Sequence, residues 1–488
     1  MVKRLTIFSI LFLSIGRTIA QPFEFDKYTK QQQTAFEKYR DEQQSWFKER
    51  RDRINAEFAK YMRRVWPEHE AQPAEPVPDR PEPPRPVVKD PNTSPSNDPV
   101  PYDNVVPTPD PVLPPQPVVP LPAPEHPVQP SFAFSFYGTP CTVSLDAEHH
   151  FTLRNSDENA VADAWTQLTS DAYFRIVSEC LAWRDRLHLC DWGYIRFVER
   201  MTTAFFAANE MNEARLMQMY ILTQSGYKVR IARTDNRLVL LLPSKDDIYE
   251  YPYLTIGGCR YYVADPTMRQ KSFCVFDREF PKEQFFSLQI SEEPLLTIRP
   301  SEPRSLVSKR YPDVLSAVKI NRNLIAFYNE YPRIAWNIYA QTPLSTLAKE
   351  QLYPVLRHAI AGKEKPMAAN ILIDFVQTAF EYKTDDEQFG YERPLFAEET
   401  LYYPYSDCED RAILFSSLVY DLLGLDVVLL HYPNHLATAV CFDEEIAGDY
   451  LMLDDRKYIV CDPTYIGAAI GNAMPQFKRT AAEIVRIH

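Results

Sequence analysis

The sequence predicts an α+β protein built from two tandem units, each with helices packed on an antiparallel sheet, preceded by a long helix and a proline-rich linker. Three observations predict it. Helical periodicity gives way to strand-rich runs twice along the chain, the order expected of α+β rather than of an alternating parallel sheet. The two strand-rich runs align with one another without a gap. Between positions 67 and 130 fall 23 of the chain's 42 prolines, a composition that favours extended polyproline II over helix or sheet.

The elements follow in order. Residues 1–20 have the form of an export signal: Lys3 and Arg4, the apolar run LTIFSILFLSI, and small residues up to Ala20. The run is short for a membrane span, so cleavage and an exported location, periplasmic or secreted to the cell surface, are expected, with no transmembrane span afterwards. The net charge of -13 and the pI near 5.3 argue against nucleic acid as a partner. Residues 21–66 read as one amphipathic helix with Phe36, Tyr39, Phe47, Ile54, Phe58, Tyr61 and Val65 as its stripe. It is either a coiled-coil surface for self-association or a partner, or a solvated helix lying on its own protein. Residues 67–130 are expected to be a semi-stiff spacer, at most on the order of 200 Å long. A first globular domain spans 131–300, a connecting segment 301–342, and a second domain 343–488. Within them FAFSFYG and RLVLLLP read as strands, and AVADAWTQLTSDAYFRIVSECLAWRDRL and LSTLAKEQLYPVLRHAIAG as helices.

The repeat rests on GYKVRIARTDNRLVLLLP from Gly226 against GLDVVLLHYPNHLATAVC from Gly424, and on YYVADPT (261–267) against YIVCDPT (458–464). The two copies cover roughly 150–270 and 343–475. In this register Glu210 stands opposite Cys408, Arg237 opposite His435, and Asp265 opposite Asp462. The first copy thus lacks the thiol and the imidazole of the second, and a Glu210–Arg237 ion pair is expected in their place. It also lacks TDDEQFGYERPLFAEETLYY (384–403), which either shapes a substrate cleft or is a surface insertion.

The second copy carries the chemistry. Ser406 and Asp407 are good N-cap types, the apolar positions that follow fall on one helical face, and Gly424 supplies the stop. Cys408 then sits in the first helical turn, where the dipole favours thiolate, while Asp407, Glu409 and Asp410 oppose it. Consecutive antiparallel strands bring His435, which begins one strand, beside Asp462, which ends the next. A carboxylate there fixes the imidazole tautomer and leaves the other ring nitrogen for the thiol proton. Cys441 and Cys461 read as packing residues. The eight cysteines lack framework or zinc spacing, so few or no disulfides and no metal are expected, and TDDEQ alone is too weak an acidic run for a calcium site.

The blocks DCEDRAILFSSLVYDLLG, YPNHLATAV and KYIVCDPTY resemble the Cys, His and Asp blocks of the transglutaminase-like superfamily. The resemblance covers 343–475 with specific motifs, covers 150–270 as a degenerate copy, and does not touch 21–130. It implies a papain-like fold with Cys408 as nucleophile, His435 as general base then acid, and Asp462 as the orienting group. The Cys408 amide is the first candidate for the oxyanion hole and Gln377 the second. The implied activity is thiol acyl transfer on a protein or peptide substrate, without a cofactor, and the resemblance leans toward hydrolysis over crosslinking. A catalytically inert binding or scaffold protein displayed on the spacer is the alternative.

Overall fold

A computed structural model of the chain describes residues 22–77, 86–91, 96–108, 113–117 and 132–487. The expected export signal lies outside them. The described residues hold twelve α-helices and several antiparallel sheets that curl on themselves, a mixed α+β architecture. No helix among them is long and apolar enough to cross a membrane.

Chain contacts divide the protein into two units, Met1–Ile54 and Asn55–His488, the division falling inside the helix Pro22–Met62. In the first unit the helix surface is charged, with Lys38 paired to Glu42 and Arg40 to Asp41, and Tyr39 is 61% exposed. In the second unit the end of the helix is buried along Asn55, Phe58, Ala59 and Met62, one face at steps of three and four. Phe58 packs edge-on against Phe276 and Phe280, and Asn55 bonds Gln224. The expected stripe holds at Phe58 but fails at Val65, which is 89% exposed beyond the helix end.

The second unit contains two six-stranded sheets. In the first, the order is Tyr253–Ile256, Cys259–Val263, Arg237–Leu242, Arg230–Thr234, Ser272–Phe276 and Glu68–Glu70, all antiparallel. In the second it is Tyr450–Leu453, Arg456–Cys461, His435–Cys441, Asp426–Tyr432, Ala482–Arg486 and Tyr102–Val106, antiparallel except for the last pair. The chain enters the strands of both sheets in the same sequence, the outermost strand first. Each sheet also receives a helix that precedes its central hairpin, Met211–Gln224 on the first and Cys408–Leu423 on the second. A second helix lies alongside each, Asp191–Phe205 and Lys365–Thr378. The hairpin turns take left-handed residues, Asp235 at φ 52° and Asn434 at φ 66°, types that tolerate that region.

The single helix read over 160–187 is two, Glu158–Leu168 and Asp171–Arg186, because Ser170 begins the second. Of its described residues, the proline-rich segment is not a free spacer. Glu68–Glu70 extends the first sheet, and Arg184 Nη1 donates to Pro115 O at 3.1 Å. Lys89 N donates to Ile466 O, Val100 N to Tyr450 O, and Tyr102–Val106 runs parallel to Ala482–Arg486. Prolines 101 and 107 bracket the strand YDNVV and do not interrupt it, so its donors remain available to the ladder.

Candidate functional site

Cys408 is the first residue of its helix, with Asp407 as the N-cap and the Asp410 carboxylate accepting from Asp407 N at 3.3 Å. The helix ends at Gly424, held at φ 62°. All eight cysteines are free thiols.

His435 and Asp462 meet as the strand register requires. His435 Nε2 and Asp462 Oδ2 are 2.8 Å apart, with the two residues 0% and 2% exposed. The Asp462 carboxylate is also fixed by the Thr464 and Tyr465 amides. On its flat face the imidazole stacks on Phe477, with centroids 4.8 Å apart and planes 7° from parallel. His435 Nδ1 is buried without a hydrogen-bond partner.

The thiol of Cys408 lies close to this pair but is bonded elsewhere. The Cys408 helix packs on the strand His435–Cys441, and the thiol donates to Glu409 Oε2 at 3.1 Å. Burial, then the Asp407 carboxylate, push the thiol well above its ordinary pKa, against the smaller opposing pulls of Glu409 and the Leu436 amide. The helix terminus therefore does not win here. The carboxylates around it and the loss of solvent do.

Gln377 is not free to serve an oxyanion. Its Nε2 donates to the carbonyls of Asp462, Tyr465 and Ala468 at 3.1, 2.8 and 3.0 Å, and its Oε1 accepts from Gly467 N at 3.1 Å. An amide with two hydrogens has none left for a substrate. It instead pins the loop that carries Asp462. In the first sheet the expected Glu210–Arg237 pair is replaced: Arg237 reaches Asp265 Oδ2 at 3.7 Å, and Glu210 accepts from the Ala207 amide. The Arg237–Asp265 contact occupies the positions that align with His435 and Asp462.

Two features had no signal in the single sequence. Arg411, buried, ties Ser406 Oγ to the Gln377 and Phe380 carbonyls and so locks the cysteine helix to Lys365–Thr378. Much of the segment 384–403 is packed into the protein and is not an ordinary surface insertion. Leu395, Phe396, Ala397 and Leu401 are buried, and Phe396 stacks on Tyr328 at 4.3 Å. It also brings Asp385 and Glu392 against the cysteine helix. One ligand atom each from Asp385, Glu392 and Glu409 lie within 4.8 Å of one another, as do atoms from Asp385, Asp407 and Asp410. These oxygens are the residues of the site that could hold a metal.

Comparison of the chain with protein-family models, curated proteins and solved structures returns no match.

Proposed function

We propose that the protein is an exported thiol acyl-transfer enzyme that cleaves peptide or side-chain amides through Cys408, His435 and Asp462. The observation that carries this reading is the buried His435–Asp462 pair, which leaves His435 Nδ1 unpartnered at the start of the strand on which the Cys408 helix packs. The resemblance of the three blocks to the transglutaminase-like superfamily supports it. So does the shared strand order of the two sheets, which suits tandem papain-like units of which only the second keeps the reactive residues.

In this mechanism His435 Nδ1 takes the thiol proton and the sulfur attacks the amide carbonyl carbon. The Cys408 amide, which faces outward from the first helical turn, donates to the oxygen that gains the charge. His435 returns its proton to the departing amine as the carbon–nitrogen bond breaks. Water, deprotonated by the same nitrogen, then cleaves the thioester to a carboxylic acid and the free thiol. Asp462 holds the ring orientation and balances the imidazolium throughout.

One observation favours the inert-scaffold reading: the thiol is buried and bonded to Glu409, not to His435. Peptide-library hydrolysis with the wild type, Cys408→Ala and His435→Ala separates the two, together with peptide-resolved alkylation of Cys408. The enzyme reading expects cleavage lost in both variants and Cys408 labelling slowed at least tenfold by His435→Ala. No cleavage by the wild type and equal labelling with and without His435 would leave the scaffold.

A further inference from the structure

Prolines 114, 115 and 117 hold the stretch Leu113–Pro117 extended, because each ring fixes its own φ and restricts the residue before it. An extended proline-rich chain makes no main-chain hydrogen bonds within itself, so its carbonyls are open to a partner. One of them is taken: Arg184 Nη1 donates to Pro115 O at 3.1 Å. The guanidinium is held in place for that bond. Arg184 is 6% exposed, its Nε donates to Asp185 Oδ1 at 3.0 Å, and its charge lies over the Tyr194 ring. Pro115 is itself buried, while Leu113, Pro114 and Gln116 beside it are exposed. Gln116 Nε2 donates back to Pro114 O at 3.1 Å, which stiffens the stretch further.

A second, separate contact depends on a missing side chain. The Gln116 main chain rests on Gly226, at φ 95°, where a Cβ would overlap the Gln116 carbonyl oxygen. Among the described residues nothing comes within 4 Å of a Cβ built on Gly424, the glycine that aligns with it before the second hairpin. The close approach is therefore particular to Gly226. A cavity of about 400 Å³ adjoins Pro114 and Arg184 and reaches Cys190 and Ser287, so the groove runs beyond the stretch it holds.

We propose that Arg184 and Gly226 form a recognition site for an extended proline-rich peptide, and that Leu113–Pro117 is its resident ligand. Three features fit that ligand: one proline buried as an anchor, one charge-assisted bond to a main-chain carbonyl, and a bare glycine that admits the backbone. Prolines restrict the free chain, so such a ligand gives up little conformational freedom on binding. Its tether places the resident stretch at an effective concentration of roughly 1 mM, so a free peptide with a Kd of about 100 µM is weakened about tenfold by it. The first sheet and its helices, where the thiol and imidazole are lacking, thus have a binding role of their own. The site stands whether or not Cys408 is a nucleophile.

The test uses the full chain and the peptide LPPQP, residues 113–117, capped at both ends and labelled for fluorescence anisotropy. Pro115→Lys sets a second cation beside Arg184 and displaces the resident stretch. This variant is expected to bind the peptide saturably and at least fivefold more tightly than the wild type does. A peptide carrying P115A is expected to bind the same variant at least fivefold more weakly. Adding Arg184→Met, which keeps the aliphatic stem, or Gly226→Ala is expected to weaken binding at least tenfold. If Pro115→Lys fails to fold, Pro115→Ala takes its place. If the double variants fail to fold, the two peptides decide, since that comparison leaves the protein unchanged. Four results overturn the site: a peptide that does not bind the variant at several millimolar, one that binds it no better than the wild type, equal binding of the two peptides, or binding that survives Arg184→Met. None of these readouts needs turnover, so the site can fail while the acyl-transfer reading stands, and the reverse.

Discussion

Replacing Gln377 with alanine separates two roles that predict opposite outcomes. The side chain closes four hydrogen bonds in the loop from Asp462 to Ala468. Their loss is unequal. The Asp462 carbonyl still accepts from Tyr465 N, and the Tyr465 carbonyl from Ala468 N. Gly467 lies at the surface and its N–H can turn to water. The Ala468 carbonyl has no such substitute, and the space left by the side chain adds to the cost. A buried polar group without a partner costs about 1–3 kcal/mol and the partly compensated groups less, so Gln377→Ala is expected to cost about 2–4 kcal/mol. Guanidinium denaturation reads this as a lower midpoint at unchanged slope. Peptide hydrolysis should fall with it, because the loop carries Asp462. A variant with the wild-type midpoint whose kcat alone has dropped about a hundredfold would show the pattern of a lost oxyanion donor and refute the positioning role.

Three further outcomes follow from burial, backbone conformation and charge pairing elsewhere in the chain. Burial pushes Glu398 up to about 7 against the pull of its bonds to Ser345, so the folded chain holds this proton more tightly than the unfolded one; stability is fullest below the unfolded pKa and should fall by about 3 kcal/mol as pH rises through 7, a fall that urea melts should find removed in Glu398→Gln. Gly424→Ala, at φ 62° with open space around it, is expected to cost about 1 kcal/mol, whereas at Gly226 (φ 95°) a Cβ would overlap the Gln116 carbonyl oxygen, so Gly226→Ala should cost clearly more in the same thermal melts. Arg237→Ala breaks a long, mostly exposed contact with Asp265 and should change the denaturation midpoint by less than about 0.5 kcal/mol in free energy.

What the sequence disclosed was local or periodic. The cysteine helix begins at Cys408 and stops at Gly424 because both ends carry their own signals, an N-cap type and a left-handed glycine. The His435 and Asp462 strands were legible because alternation and a two-residue turn determine a hairpin's register. The acidic cluster was not, since Asp385 and Glu392 reach residues 407–410 through a chain reversal that no periodicity encodes. The proline-rich segment misled for a different reason. Composition counts prolines, but pairing depends on which positions keep an N–H, and Lys89, Val100 and the strand Tyr102–Val106 keep theirs. The Cys408 thiol misled because a helix terminus is a weaker influence than complete burial among carboxylates.

The strand Tyr102–Val106 lies against Ala482–Arg486, a partner made about 380 residues later. At roughly 5–20 residues per second, the ribosome would hold that strand unpaired for roughly 20–80 s. During that wait its main-chain donors and acceptors are open to other chains, and the prolines flanking it confine the exposed stretch to five residues. A nascent chain halted before position 482 would complete the first sheet and leave the second without its outer two strands.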